Sequence, residues 1–188
     1  MNYKKLYYVE TDERGIIWDY TIILDKKLNC FRVFEGKKVN KNNESSFRYA
    51  INKHRLNAFN NKDAEELARL TTKERDILKF IEEYDNKAEQ ILLGHMLTGE
   101  EDRVKAVVEK ITVEKFYNEK HKKIFNAILK LYNESKKTYV NSVKKKLEET
   151  GELEQIGGLE YFFDLVEIGS TDSNFKKYIE YIEDRPTI

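Results

Sequence analysis

One cysteine, Cys30, stands in 188 residues. It excludes an intramolecular disulfide framework and a cysteine zinc cluster, and a lone thiol suits a reducing compartment, so a cytoplasmic setting is expected. Proline is equally scarce, with Pro186 alone, and helices therefore meet few interruptions once they begin. No stretch approaches the ~18 consecutive apolar residues of a membrane span, and the N-terminal MNYKKLYYVETDE reaches acidic side chains before any apolar run, so neither a membrane segment nor a secretory leader is expected. Net charge is missing too, with 34 Lys and Arg against 34 Asp and Glu. Charge balance alone points to no partner. What remains is a chain with 40% hydrophobic and 36% charged residues, enough apolar material to build one or two cores.

The two halves differ in pattern, which gives an α+β reading with a domain boundary near 84–86. Residues 1–85 open with a β-rich stretch. Leu6 to Val9, Ile16 to Leu24 and Cys30 to Phe34 are rich in β-branched and aromatic residues, and short polar breaks separate them, so a small three-stranded antiparallel meander is expected. Helices follow: one from Ser45 to about Leu56 with Phe47, Ala50 and Ile51 on one face, one over Asp63 to Leu70, and one starting near Lys73. That last helix is expected to run through the boundary. Residues 86–188 repeat apolar positions at helical spacing throughout. Examples are Ile124, Phe125, Ile128 and Leu131, then Val140, Val143 and Leu147, and together they predict an all-α bundle of six helices.

Gly157 and Gly158 interrupt this pattern and are followed at once by Tyr161, Phe162 and Phe163. A Walker-type phosphate cradle needs Gly-x-x-x-x-Gly-Lys-Ser/Thr after a strand, and this pair sits between helices with Leu159 and Glu160 next. A corner fits better. Gly151 supplies a left-handed cap to the preceding helix, Leu153 and Ile156 tuck beneath the turn, and Leu159, Phe162 and Phe163 enter the core one turn later.

Three motifs in order carry a family resemblance. They are Ala88-Glu89-Gln90-x-x-Leu93-Gly94, then Phe116-Tyr117-x-x-x-His121-x-x-Ile124-Phe125, then Gly151-x-Leu153-x-x-Ile156-Gly157-Gly158-x-x-Tyr161-Phe162. Over about residues 86–185 the chain resembles the N-terminal domain of bacterial replicative DNA helicases of the DnaB type. The resemblance implies a small helical bundle that is not catalytic, that forms a collar of dimers within a hexamer, and that serves as a docking surface for primase and loader proteins. The helicase-binding tail of bacterial primase resembles the same bundle. Strand separation in that family belongs to an ATPase domain with a Walker motif, and this sequence has no such motif. The family's last helix is followed by a second that completes a dimerising hairpin, whereas this chain stops at Pro186-Thr187-Ile188. It is expected to be either a free-standing relative or a fragment.

Catalytic candidates are few. His54, His95 and His121 share no metal-ligand spacing, so His121 is expected to cap or border the bundle and the others to lie at surfaces. The pairs Glu65-Glu66, Glu82-Glu83, Glu100-Glu101 and Glu148-Glu149 point in different directions on their helices, Cys30 reads as a core residue of its strand, and no acid/base dyad is apparent. No cofactor, metal or catalytic residue is expected. A basic segment is present: Lys26 to Arg55 holds nine Lys or Arg against Glu35 and Glu44. Lys26, Lys27, Arg32, Lys37, Lys38 and Arg48 lie among Phe31, Phe34, Phe47 and Tyr49, the mixture single-strand binders use. Trp18, Tyr20 and Ile22 read as core of the small domain. The first functional reading is a non-enzymatic replication accessory protein that contacts a replicative helicase or primase through Phe175, Tyr178, Tyr181 and Ile182, exposed on the terminal helix. The alternative is a DNA-binding regulator using residues 26–55, with the bundle as a homodimerisation module.

Overall fold

A computed structural model describes residues 5–11, 17–25, 30–39, 42–52 and 72–185. Two compact units divide them, Glu83–Glu183 and the residues to either side, Met1–Glu82 with Asp184–Ile188.

Among the described residues the first unit holds four strands, β1 (Lys5–Thr11), β2 (Ile17–Asp25), β3 (Cys30–Val39) and β4 (Asn42–Asn52), paired antiparallel in chain order, one more than the three-stranded meander expected. Ile22 of β2 stands opposite Val33 of β3, and both are fully buried. Such β-branched pairs favour a pleated, covered surface. The β3–β4 register slips between Val33 and Phe34, which pair with Tyr49 and Phe47. Arg48 is thereby left as the extra residue of a bulge. The helix expected from Ser45 is not formed over its described part, since residues 45–52 belong to β4. The helix expected over Asp63 to Leu70 lies outside the described residues.

Helix α1 (Thr72–Met96) begins one residue before Lys73 and contributes to both units. Ile77, Leu78 and Ile81 are its buried positions before the division. After it, the pattern stops being one-sided: Ala88, Glu89 and every residue from Ile91 to Leu97 are buried. A helix covered all round is the axis of its bundle.

The remaining helices of this unit are α2 (Glu101–Val108), α3 (Glu119–Asn133), α4 (Val140–Glu149), the single turn α5 (Leu153–Ile156), α6 (Gly158–Thr171) and α7 (Phe175–Asp184). A 3₁₀ turn, Val113–Lys115, precedes α3. Each α-helix longer than one turn buries a stripe at helical spacing. In α3 the stripe is His121, Ile124, Phe125, Ile128 and Leu131, and in α4 it is Val143 and Leu147. Full burial of one such aliphatic or aromatic side chain contributes about 1.5–3 kcal/mol. Glu101 and Asp102 in the first turn of α2 complement its dipole.

The corner around the glycine pair is made by dihedral angles. Gly157 and Gly158 hold φ of 103° and 69°, values that side chains resist. A Cβ would find open space at Gly158 and only ordinary contact at Gly157, so handedness is the requirement here. Crowding is found elsewhere. Gly94 of α1 meets α6 backbone to backbone: a Cβ on Gly94 would run into the Leu165 carbonyl oxygen, and one on Gly169 would come within 2.9 Å of the Gly94 and His95 backbone.

Leu159, Phe162 and Phe163, expected to enter the core after the corner, do not do so together. Phe162 is fully buried, but Leu159 and Phe163 are 37% and 58% exposed. On a helix, positions 158, 162, 165 and 169 share one face, while 159, 163 and 166 share another.

Candidate functional site

Residues from the three sequence motifs meet at one point inside the bundle. Glu89 on α1 and His121 on α3 are both fully buried, and Glu89 Oε2 accepts a hydrogen bond from His121 Nδ1 at 2.6 Å. The other ring nitrogen, Nε2, lies 2.6 Å from the Tyr161 hydroxyl on α6. With Nδ1 donating to the carboxylate, Nε2 is the acceptor and Tyr161 the donor. Gln90 Nε2 in turn donates to the Tyr161 oxygen at 3.5 Å.

The second carboxylate oxygen is also occupied. Glu89 Oε1 accepts from the Tyr117 N–H at 2.7 Å, and Oε2 accepts from the Asn118 N–H at 3.3 Å. Asn118 caps α3 through its Oδ1, which accepts the Lys120 N–H, and its Nδ2 donates to Asn86. A buried carboxylate is tolerable only with such a full set of donors.

This network ties α1, the start of α3 and α6 together. Burial, then the nearby carboxylates of Glu89 and Asp164, raises the Tyr161 hydroxyl above its usual value, against the Gln90 hydrogen bond. The phenol is held as a protonated donor, which suits positioning rather than nucleophilic attack. Phe116 and Phe125 pack beside one another with ring centroids 4.6 Å apart.

His121 therefore lies inside the bundle, not at its border, because Glu89 and Tyr161 satisfy both its nitrogens. His95 is buried as well, contrary to a surface placement. Its Nδ1 accepts from Arg103, its Nε2 donates to the Asp172 carbonyl at 3.0 Å, and its ring stands edge-on to Phe175. His54 lies outside the described residues.

The terminal helix requires a correction. Tyr178, Tyr181 and Ile182 were expected to be exposed, yet they are 6%, 2% and 0% accessible, and only Phe175 is half-buried. Tyr181 donates to Asp85 at 2.7 Å and meets the Tyr84 ring edge-on, while Tyr178 donates to Asp172 at 2.6 Å. These hydroxyls find partners within the same unit, which explains why amphipathic aromatics are covered there. The exposed large hydrophobics among the described residues are instead Tyr139, Leu159 and Phe163.

Of the basic candidates, Lys26 and Lys27 lie outside the described residues. Arg32, Lys37 and Lys38 are on β3 and Arg48 is on β4. Gly169, Asn118 and Asp172 escaped the sequence reading, although a small residue on the buried face of α6 and an Asn directly before α3 are signals for the first two.

Residues 81–184 match the model of the DnaB-like helicase N terminal domain. The chain is 36% identical over 102 residues to the replicative DNA helicase DnaB of Leifsonia xyli subsp. xyli, covering 54% of this chain and 22% of that one. It is 32% identical over 97 residues to that of Rhodothermus marinus, covering 52% and 10%. The chain thus spans about a fifth or less of the length of these curated relatives. The crystal structure of the N-terminal domain of DnaB helicase from Mycobacterium tuberculosis aligns at 31% identity over 52% of this chain and 67% of that one, with a TM-score of 0.49. Through residues 81–184, the stretch that contains all three motifs, this chain belongs to the DnaB-like helicase N-terminal domain family.

Proposed function

We propose that this chain serves DNA replication as a docking module rather than a catalyst, and that its partner is a replicative helicase or a primase. The observation that carries the reading is the outer face of α6. Phe163 is 58% exposed, and Leu159 lies one turn before it on the same face. Half-buried Val166 extends the stripe by another turn, and the exposed carboxylates Glu160, Asp164 and Glu167 flank it. The helix carries no basic residue. An apolar ridge with an acidic rim fits a partner helix that has an apolar face and basic edges.

A docking role also agrees with the interior. The Glu89–His121 pair is closed to solvent, so it braces the module and offers no group to a substrate. The relatives are named replicative DNA helicases, the family resemblance adds primase, and extending either as a partner to this chain is part of the proposal.

Light scattering coupled to size-exclusion chromatography tests it, with the full chain mixed with the helicase and the primase of its own cell. A mixed species is expected with one of them, and Phe163→Asp should abolish that species while leaving helical circular dichroism unchanged. Binding that survives the substitution would move the interface off α6. Absence of any mixed species would refute the function itself.

A further inference from the structure

The edge of the bundle formed by the α3–α4 loop and α4 carries charge instead of apolar surface. Between Lys130 and Lys146 the sequence holds six lysines against the single carboxylate of Glu134, with Tyr132 and Tyr139 interleaved. Folding gathers four of the lysines around two adjoining recesses, whose linings also include Glu149 and Glu101. Lys136, Lys137, Lys145 and Lys146 line one of about 390 Å³. Lys136 and Lys137 also line the other, of about 300 Å³, together with Tyr132 and Gly99.

Tyr139 stands next to the second recess and is 52% exposed. Its ring rests so closely on Gly99 that any Cβ there would collide with it. Gly99 has φ +74°, a conformation that itself favours glycine. The result is an aromatic ring backed on one side by main chain and presented to solvent.

The lysines are only partly neutralised. Glu134 accepts from Lys136 at 2.7 Å and from Lys146 at 2.8 Å, and the two ammonium groups draw its carboxyl down to about 2. Glu101 meets Lys137 at 3.1 Å, Glu148 meets Lys144 at 2.9 Å and Glu149 meets Lys146 at 3.8 Å. Exposed pairs of this kind are weak, and a phosphodiester backbone can displace them.

We propose that this edge binds single-stranded nucleic acid, with the lysines along the phosphodiester backbone and the Tyr139 ring stacking on a base. Cationic tracks combined with aromatic platforms are how single strands are held without sequence preference. A duplex would hide its base faces from Tyr139, and an acidic peptide would have no use for a backed, exposed ring. This site uses residues separate from the α6 face and does not rest on the docking role.

Fluorescence anisotropy with the full chain and a labelled oligothymidine of about 20 nucleotides tests the site. Binding that weakens steeply as salt is added is expected. Lys136→Glu combined with Lys145→Glu should weaken it at least about tenfold and flatten the salt dependence. Tyr139→Ala should weaken it about tenfold while leaving the salt dependence alone. An oligouridine of the same length separates RNA from DNA as the natural strand, and Phe163→Asp should change neither affinity. Three results would overturn the proposal: no binding by the unaltered chain at low salt, full affinity in the double variant, which would move the contact elsewhere, including to Lys26–Arg55, or equal affinity for polyglutamate.

Discussion

At Gly94 a single methyl group has a readable cost. The atom that an added Cβ would strike is the Leu165 carbonyl oxygen, part of a helix backbone, with the Gly169 Cα just beyond. A flexible side chain could swing aside, but two crossed helices can only separate. Alanine is favoured over glycine by about 1 kcal/mol inside a helix, whereas overpacking a tight core costs about 1–3 kcal/mol and occasionally more. The crossing should win, because separating α1 from α6 also pulls on the hydrogen bonds from Glu89 through His121 to Tyr161. Gly94→Ala is expected to lower stability by about 2 kcal/mol in urea unfolding, and an unchanged or raised midpoint would mean that the helices do not meet here. In the sequence Gly94 stood out only as a motif letter. Its partner Gly169, seventy-five residues later, carried no motif, and its place on the buried face of α6 with Phe162 and Leu165 was its sole signal.

The ends of helices show the same motif built twice from different residues. After α4, the Glu152 N–H donates to the Leu147 carbonyl and the Gly151 N–H to that of Glu148, with Gly151 at φ 69°. After α3, the Lys136 N–H donates to Leu131 and the Ser135 N–H to Tyr132, and here Ser135 takes φ 55°. Both are left-handed C-terminal caps of the same hydrogen-bond pattern, but only one has the residue that adopts the conformation without strain. Ser135→Gly should therefore stabilise the bundle by up to about 1 kcal/mol. Thermal unfolding should show a rise of a few degrees for a unit of this size, and a fall would show that the serine side chain has a role of its own. The cap at Gly151 was legible because glycine announces it, while the cap at Ser135 was silent. The helices between such caps were legible from their period, and α1 was expected to pass through the domain boundary. The stretch 45–52 misled because it fits two periods at once. Phe47, Ala50 and Ile51 suit a helix, yet Tyr49 and Ile51 alternate as a strand does, and pairing with β3 decides the matter, the bulge at Arg48 shifting the alternation before Tyr49.

For the whole molecule, the sequence located the family and its motif residues but could not tell covered aromatics from bare ones. Tyr178, Tyr181 and Phe163 all sit among charged neighbours on amphipathic helices. The two tyrosine hydroxyls meet Asp172, six residues earlier, and Asp85, ninety-six residues earlier, whereas Phe163 lies on the outer face of its helix and is 58% exposed. That inward placement of phenols has a consequence for pH. Burial is the first cause that raises the hydroxyls of Tyr84, Tyr161 and Tyr178 above their usual value near 10, with nearby carboxylates adding to it in each case. In the unfolded chain these groups release their protons from about pH 10 upward. The folded protein retains them longer, so above that pH the native state binds more protons than the unfolded one and stability must fall as pH rises. Their contribution is fully present below about pH 10 and is lost progressively above it, as each folded value is approached. Melting temperature followed from pH 8 to about 11.5 should accordingly hold steady and then drop, and Tyr178→Phe, which removes one of the three hydroxyls, should make the drop shallower. A melting temperature that stayed level through about pH 11 would mean that these hydroxyls titrate as exposed phenols do, and that Tyr84, Tyr161 and Tyr178 are open to water.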